Sequence, residues 1–271
     1  MYSQSKHLHI THTGSPHQSS TPPGGFGDPH FQTWVGGRYD YHGECDLILL
    51  SSDTFAYGLG LDIHVRTTIR DNWSYISAAA LRIGEDILEV QSQAKYFYNG
   101  EEGAPLPKKF GGFTIDHKIP KHKNRPDRFV IYTNSGKIDI RVYNDFVGVS
   151  ILKPKEEGFG DSVGLMGSFK SGDWLLRDGE TVVTDPNAFG PEWQVRDHEH
   201  QLFVEKGSVT WPETCHMPSD YAKEGRRRLE ESSITEEMAE EACEHWVYDK
   251  DLCIHDVLLT GDLDIAAAGA Y

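Results

Sequence analysis

The run Gly27-Asp28-Pro29-His30 holds the residues with the clearest chemical potential. The amide before a proline is tertiary: its nitrogen carries no hydrogen and takes up a proton more readily than an ordinary amide. The Asp28 carboxyl can attack its own carbonyl carbon, giving a cyclic anhydride and releasing the proline amine. His30, protonated in mild acid, is the group to supply the proton or polarise that carbonyl. The chemistry would be self-cleavage at Asp28–Pro29. The simpler reading is a turn at a strand entrance. Asp185-Pro186 is a second such bond without the flanking Gly and His, and it reads as a turn.

Cysteine comes next. Cys45, Cys215, Cys243 and Cys253 permit two bridges in three connectivities. No Cys-x-x-Cys or Cys/His pair stands at zinc spacing, so a disulfide framework is favoured over a metal site. His7, His9 and His12 offer transition-metal ligands, but their surroundings read better as a solvated arm. There is no phosphate-cradling Gly-x-x-x-x-Gly-Lys-Ser/Thr and no His-Glu-x-x-His. Gly58-Leu59-Gly60 lacks a following helix and is not a nucleotide loop. Carboxylate pairs carry no information among 42 acidic residues.

The elements that must position these groups are mainly strands. Residues 1–25 are rich in Ser, Thr, Pro, Gly and His and read as a disordered tail. From residue 26 to about 193, runs of β-branched and aromatic residues end at Gly, Asn, Asp or Pro. They cover 45–51, 61–69, 75–83, 87–90, 113–119, 129–133, 138–143 and 147–152. In residues 61–69, Leu61, Ile63, Val65 and Thr67 face one way, and Asp62, His64 and Arg66 the other. Asn134-Ser135-Gly136 and Asn144-Asp145 are turn signals. Close turns without βαβ spacing argue an antiparallel sandwich or barrel.

From residue 219 the texture turns helical. Arg226-Arg227-Arg228 opens a charged segment, and Thr235 caps a second helix with Glu236 and Glu237 in its first turn. Met238, Ala242 and Trp246 form one stripe, with Ala239 and Cys243 beside it. Residues 219–271 thus read as a small helical appendage pinned by Cys243–Cys253.

Composition bounds the partners. The chain has 271 residues, and 42 acidic against 26 basic side chains give a formal charge of −16. That balance argues against a nucleic-acid backbone or an anionic membrane surface. No apolar run approaches a membrane span, and the first residues lack the apolar core of a signal peptide, so secretion would need a leader outside this chain.

Three blocks together resemble the von Willebrand factor type D domain. Gly27-Asp28-Pro29-His30-Phe31 leads into Tyr39-Asp40-Tyr41 and Gly43-Glu44-Cys45. Gly164-Leu165-Met166-Gly167-Ser168-Phe169 is similar to the family's Gly-Leu-Cys-Gly-Asn-Phe. Phe189-Gly190-Pro191-Glu192-Trp193-Gln194-Val195 is similar to its closing Phe-Gly-x-x-Trp-x-Val. The segment with Cys243 and Cys253 resembles the cysteine-containing helical module that often follows such a domain. The resemblance implies an antiparallel β-sandwich over residues 26–215, and a bridge from Cys45 to Cys215. Such a bridge would stabilise by up to about 5 kcal/mol on the loop-entropy account. The family's other common bridge has lost both ends here, one replaced by Met166, an apolar filler. The resemblance also implies cleavage at Asp28–Pro29, which some members perform.

On calcium the chain dissents. The family's ligand positions hold Val35 and Ser168, and the following loop has one carboxylate, Asp173. Calcium takes six to eight oxygens, so no cofactor is expected. The expectation is a non-enzymatic, extracellular module of a mucin- or matrix-like protein, meeting protein or glycan partners or copies of itself. The alternatives are a self-processing protein, and a carbohydrate- or mineral-binding module suggested by aromatic and acidic content.

Overall fold

The structure is a computed structural model. It describes residues 22–27, 29–70, 73–121, 126–204, 215–217 and 234–244, and nine positions between 250 and 266. Two antiparallel sheets dominate. The eight-stranded sheet runs in the order β10-β11-β12-β13-β14-β1-β2-β3. Its strands are β1 (Gly24–Phe26), β2 (His30–Gln32), β3 (Arg38–Asp40), β10 (Lys108–Phe110), β11 (Phe113–Lys118), β12 (Asp127–Thr133), β13 (Gly136–Val142) and β14 (Val147–Leu152). The six-stranded sheet is a meander of β4 (Asp46–Ser52), β5 (Leu61–Arg70), β6 (Trp73–Ile83), β7 (Asp86–Gln91), β8 (Tyr96–Tyr98) and β9 (Glu101–Glu102). A short hairpin of β15 (Trp174–Leu175) and β16 (Val182–Val183) stands apart.

Alternation explains the packing. Ile63, Val65, Leu81 and Val90 of one sheet meet Ile131, Ile140, Val149 and Ile151 of the other in one continuous core. Turn chemistry sets the register. Thr133 pairs with Gly136 across Asn134-Ser135, and Tyr143 N donates to the Phe146 carbonyl around Asn144-Asp145. The expected antiparallel sandwich is present.

Three local expectations are corrected. The β framework starts at Gly24, inside the stretch read as a tail, because β1 inserts between β14 and β2 and needs only backbone groups to do so. Asp185-Pro186 does not make an isolated turn. It starts the helix Pro186–Glu192, with the Asp185 carboxylate accepting from Asn187 N at 2.9 Å and proline at the first helical position. In the helix Glu236–Ala242 the buried face is Ala239 with Cys243, one turn apart, while Met238 is 41% exposed. Thr235 caps that helix as expected, accepting from Met238 N. Trp246 and residues 218–233 lie outside the described residues.

Cys243, Cys253, Val257, Ile265 and Ala266 pack with Ala239 on Tyr75, Tyr143 and Phe146 of the sandwich. Cys243 is bridged to Cys253, with Cα atoms 5.9 Å apart. Among the described residues no helix is long and apolar enough to cross a membrane.

Candidate functional site

The Gly27-to-Cys45 segment folds as a small hairpin system at one end of the larger sheet. β2 and β3 pair around Thr33–Gly37, placing Phe31 opposite Tyr39 and His30 opposite Asp40. Asp28 and residues 1–21, with His7, His9 and His12, lie outside the described residues. The backbone on either side of Asp28 is anchored. The Gly27 carbonyl accepts from Ile76 N at 2.8 Å, and the Pro29 carbonyl accepts from Tyr41 N at 3.2 Å.

His30 Nδ1 lies 2.6 Å from Asp40 Oδ1. Burial raises the Asp40 pKa, but the His30 hydrogen bond and the charges of His30 and His42 outweigh it and hold the carboxyl below its ordinary range. Asp40 is therefore a carboxylate at neutral pH and can only accept, so Nδ1 carries the proton in this bond. A carboxylate on one ring nitrogen orients the imidazole and fixes its tautomer, as in nucleophile-activating triads. In the sequence Asp40 stands between Tyr39 and Tyr41, with nothing local to mark it as the partner of His30. Counting cross-strand pairs outward from the Gly36-Gly37 turn would have set it opposite His30.

The three sequence blocks meet beside this hairpin. Trp34 N donates to the Met166 carbonyl at 3.2 Å, and Tyr39 Oη donates to the Leu165 carbonyl at 2.5 Å. Tyr39 packs on Phe31, Trp174 and Phe189, with centroids 4.6–5.7 Å apart, and Trp34 meets Phe169 edge-on at 4.9 Å. Burial pushes the Tyr39 hydroxyl well above its ordinary pKa and Tyr41 up to about 12, so both stay protonated. Two glycines are required by close approach. A Cβ on Gly190 would lie 2.3 Å from the Tyr41 ring. One on Gly164, at φ +127°, would lie 2.6 Å from the Leu49 carbonyl oxygen. Gly167 closes the turn onto the Gly164 carbonyl, and Gly43 touches Tyr41 and Cys215. Met166 is fully buried in the core.

β4 would otherwise be an open sheet edge. Bridges from Ser51 to Val163, Leu47 to Gln194 and Glu44 to His216 cover it. Trp193 sits over this edge, its carbonyl accepting from Ile48 N at 2.7 Å and its ring facing the Arg177 guanidinium at 5.0 Å. Cys45 and Cys215 are joined there, with Cα atoms 5.2 Å apart across 170 positions. Together these contacts tie the start of the sandwich to its end.

The positions discussed for calcium are occupied differently. Val35 is half exposed, its methyls against Gly172. Ser168 N donates to the Asp173 carbonyl, and Ser168 Oγ accepts from Ser171 N. The loop is therefore closed by its own bonds. Among the described residues no three His, Cys, Asp or Glu side chains form a group able to hold a metal ion.

No protein-family model matches this chain, and no curated protein matches it. Fold and site together define a mainly antiparallel β protein, bridged by two disulfides and carrying a small helical part.

Proposed function

We propose that this chain is an extracellular module of the von Willebrand factor type D kind, structural and adhesive rather than enzymatic. One observation carries the reading. The Gly27, Gly164 and Phe189 blocks, far apart in sequence, meet around Tyr39, which bonds the Leu165 carbonyl and packs on Phe189. A bridge across 170 positions suits an oxidising compartment. The module presents an acidic surface to protein or glycan partners, or to copies of itself. All four cysteines are paired within the chain, so this chain by itself is not expected to polymerise through disulfides. Peptide mapping under non-reducing conditions, on protein from its natural source, is expected to recover Cys45–Cys215 and Cys243–Cys253. Four free thiols would end the extracellular reading.

The His30–Asp40 pair favours a second reading, self-processing at Asp28–Pro29. The oriented imidazole delivers a proton to the departing proline nitrogen while Asp28 closes the anhydride. Water then opens the anhydride and restores two carboxyls. Purified protein held at about pH 5 to 6 is expected to yield a fragment beginning at Pro29 on a reducing denaturing gel. Asp28→Ala abolishes it and Asp40→Asn slows it. An intact wild-type chain after prolonged incubation rejects this reading and leaves the adhesive one standing.

A further inference from the structure

On the outer face of β4–β6, Asp46, Asp62 and His64 are buried beside Ile48 and Ala80. In register across β4, β5 and β6 stand Ser51, Asp62 and Arg82, and one pair further along Ile48, His64 and Ala80. Residues 196–204 run over this face as a strap. Leu202 and Phe203 pack on Ala78 and Ala80, and the Arg66 guanidinium lies 4.2 Å from the Phe203 ring centre. Val204 N donates to the fully buried Glu89 carboxylate at 2.6 Å, and Glu199 pairs with Arg177.

Between strap and sheet lies a cavity of about 270 Å³. Ser51, Asp62, His64 and Arg82 line it from the sheet, and Glu199 with exposed Asp53, His198 and His200 completes it. Among the described residues Ile48 is its one apolar lining side chain. The polar groups are held in advance. Asp62 accepts from Ser51 Oγ at 2.7 Å and from Arg82 Nε and Nη2 at 2.8 and 2.6 Å, while Arg82 Nη1 donates to the Gly84 carbonyl. Carboxylate lone pairs and guanidinium hydrogens remain to spare. His64 is almost wholly buried, and its Nδ1 has no hydrogen-bond partner, which is rare for a buried polar atom. Burial outweighs the pull of Asp62, Asp46 and Glu199 and lowers its pKa to about 4, so the ring is neutral at pH 7 and offers one donor and one acceptor.

This lining excludes most ligand classes. An anion would meet the carboxylates of Asp53, Asp62 and Glu199, while the charge of Arg82 is already offset by Asp62. The described residues do not assemble three metal ligands here. An apolar molecule would find one methyl-bearing wall. A ring bearing several hydroxyls needs what is present: donors and acceptors alternating on rigid side chains. The volume is just below the roughly 300–1,000 Å³ of small-molecule sites and suits a single ring. We propose that the cavity between the strap and β4–β6 binds one neutral sugar unit, through Asp53, Asp62, His64 and Arg82, with His198 and His200 at its rim. This inference rests on the cavity and stands independently of the adhesive reading.

The test is NMR titration of the full chain with D-galactose, D-mannose, N-acetyl-D-glucosamine and N-acetyl-D-galactosamine, read at the backbone amides and histidine rings. At least one sugar is expected to shift the His64, His198 or His200 ring signals saturably, with millimolar affinity. The double variant Asp53→Asn/His198→Ala, at two exposed positions that leave the fold intact, weakens that binding by about tenfold. The proposal is overturned if no sugar shifts these signals, if the double variant binds as well as wild type, or if only zinc chloride or sodium phosphate shifts them.

Discussion

The two faces of β5 are buried to the same degree by opposite means. Leu61, Ile63 and Val65 point into the core and are wholly buried among aliphatic and aromatic side chains. Asp62 and His64 point outward and are 8% and 2% exposed, under a strap of chain. On the inner face burial is itself the driving force, and the contacts are non-directional. On the outer face a polar group taken from water costs free energy unless it finds a partner. Asp46 and Arg66 supply each other at 2.7 and 2.8 Å, and Asp62 and Arg82 do the same one step along. A face built this way gives up stability that an apolar face would have, and retains oriented polar groups in return. Removing one partner should therefore cost more there than on a surface.

The comparison can be broken in four places. The largest effect is expected from Asp62→Ala, which leaves the Arg82 guanidinium, 17% exposed, without its carboxylate. Urea unfolding should show a loss of about 3 to 5 kcal/mol. A loss under about 1 kcal/mol would mean the outer face is effectively solvated. Leu81→Ala on the inner face should cost about 2 to 5 kcal/mol, and by the same amount at pH 7 and pH 5, since no charge is involved.

The third effect is a pH dependence belonging to the outer face. His64 titrates near 4 when folded and near its ordinary 6.5 when unfolded. The unfolded chain therefore binds more protons between these values, and stability rises with pH across that window. The contribution is full above about pH 6.5, declines as pH falls towards 4, and amounts to about 3 kcal/mol. Unfolding curves of wild type and His64→Gln at pH 7 and pH 4.5 should differ in that dependence. Parallel losses in the two proteins would show that other groups carry it. The smallest effect is expected from Phe203→Leu, which keeps an apolar anchor but removes the ring facing Arg66. Calorimetry should register about 0.5 to 2 kcal/mol, and a Tm indistinguishable from wild type would remove the cation–π contact from the account.

Much of the framework is legible in the residues. Eight strand-like runs recur as strands with ends within two positions, because alternation and turn residues act locally. The Thr235 cap is legible for the same reason. The helix Pro186–Glu192 was not, though Asp185-Pro186 is a fair helix start. Its seven residues include a second proline and a glycine, and what holds it is Phe189 buried against Tyr39 and Trp174. β1 was hidden because Gly24 and Gly25 have no side chain to alternate. Of the candidate site, the cysteines, the motif glycines and His30 were visible by type. Their convergence and the Asp40 partner depend on strand pairing.

The order of residues alone determined that this chain would make short antiparallel strands, close them with tight turns, hold four cysteines in reserve for bridging and carry a strong negative charge. These are properties of neighbours a few positions apart, where covalent geometry and side-chain alternation decide. Only the tertiary structure decided that residues 196–204 return to cover β4–β6, burying His64 and enclosing a polar cavity. That outcome joins segments more than a hundred positions apart, such as Glu89 with Val204. It rests on complementary shape and hydrogen bonding, which no local pattern encodes.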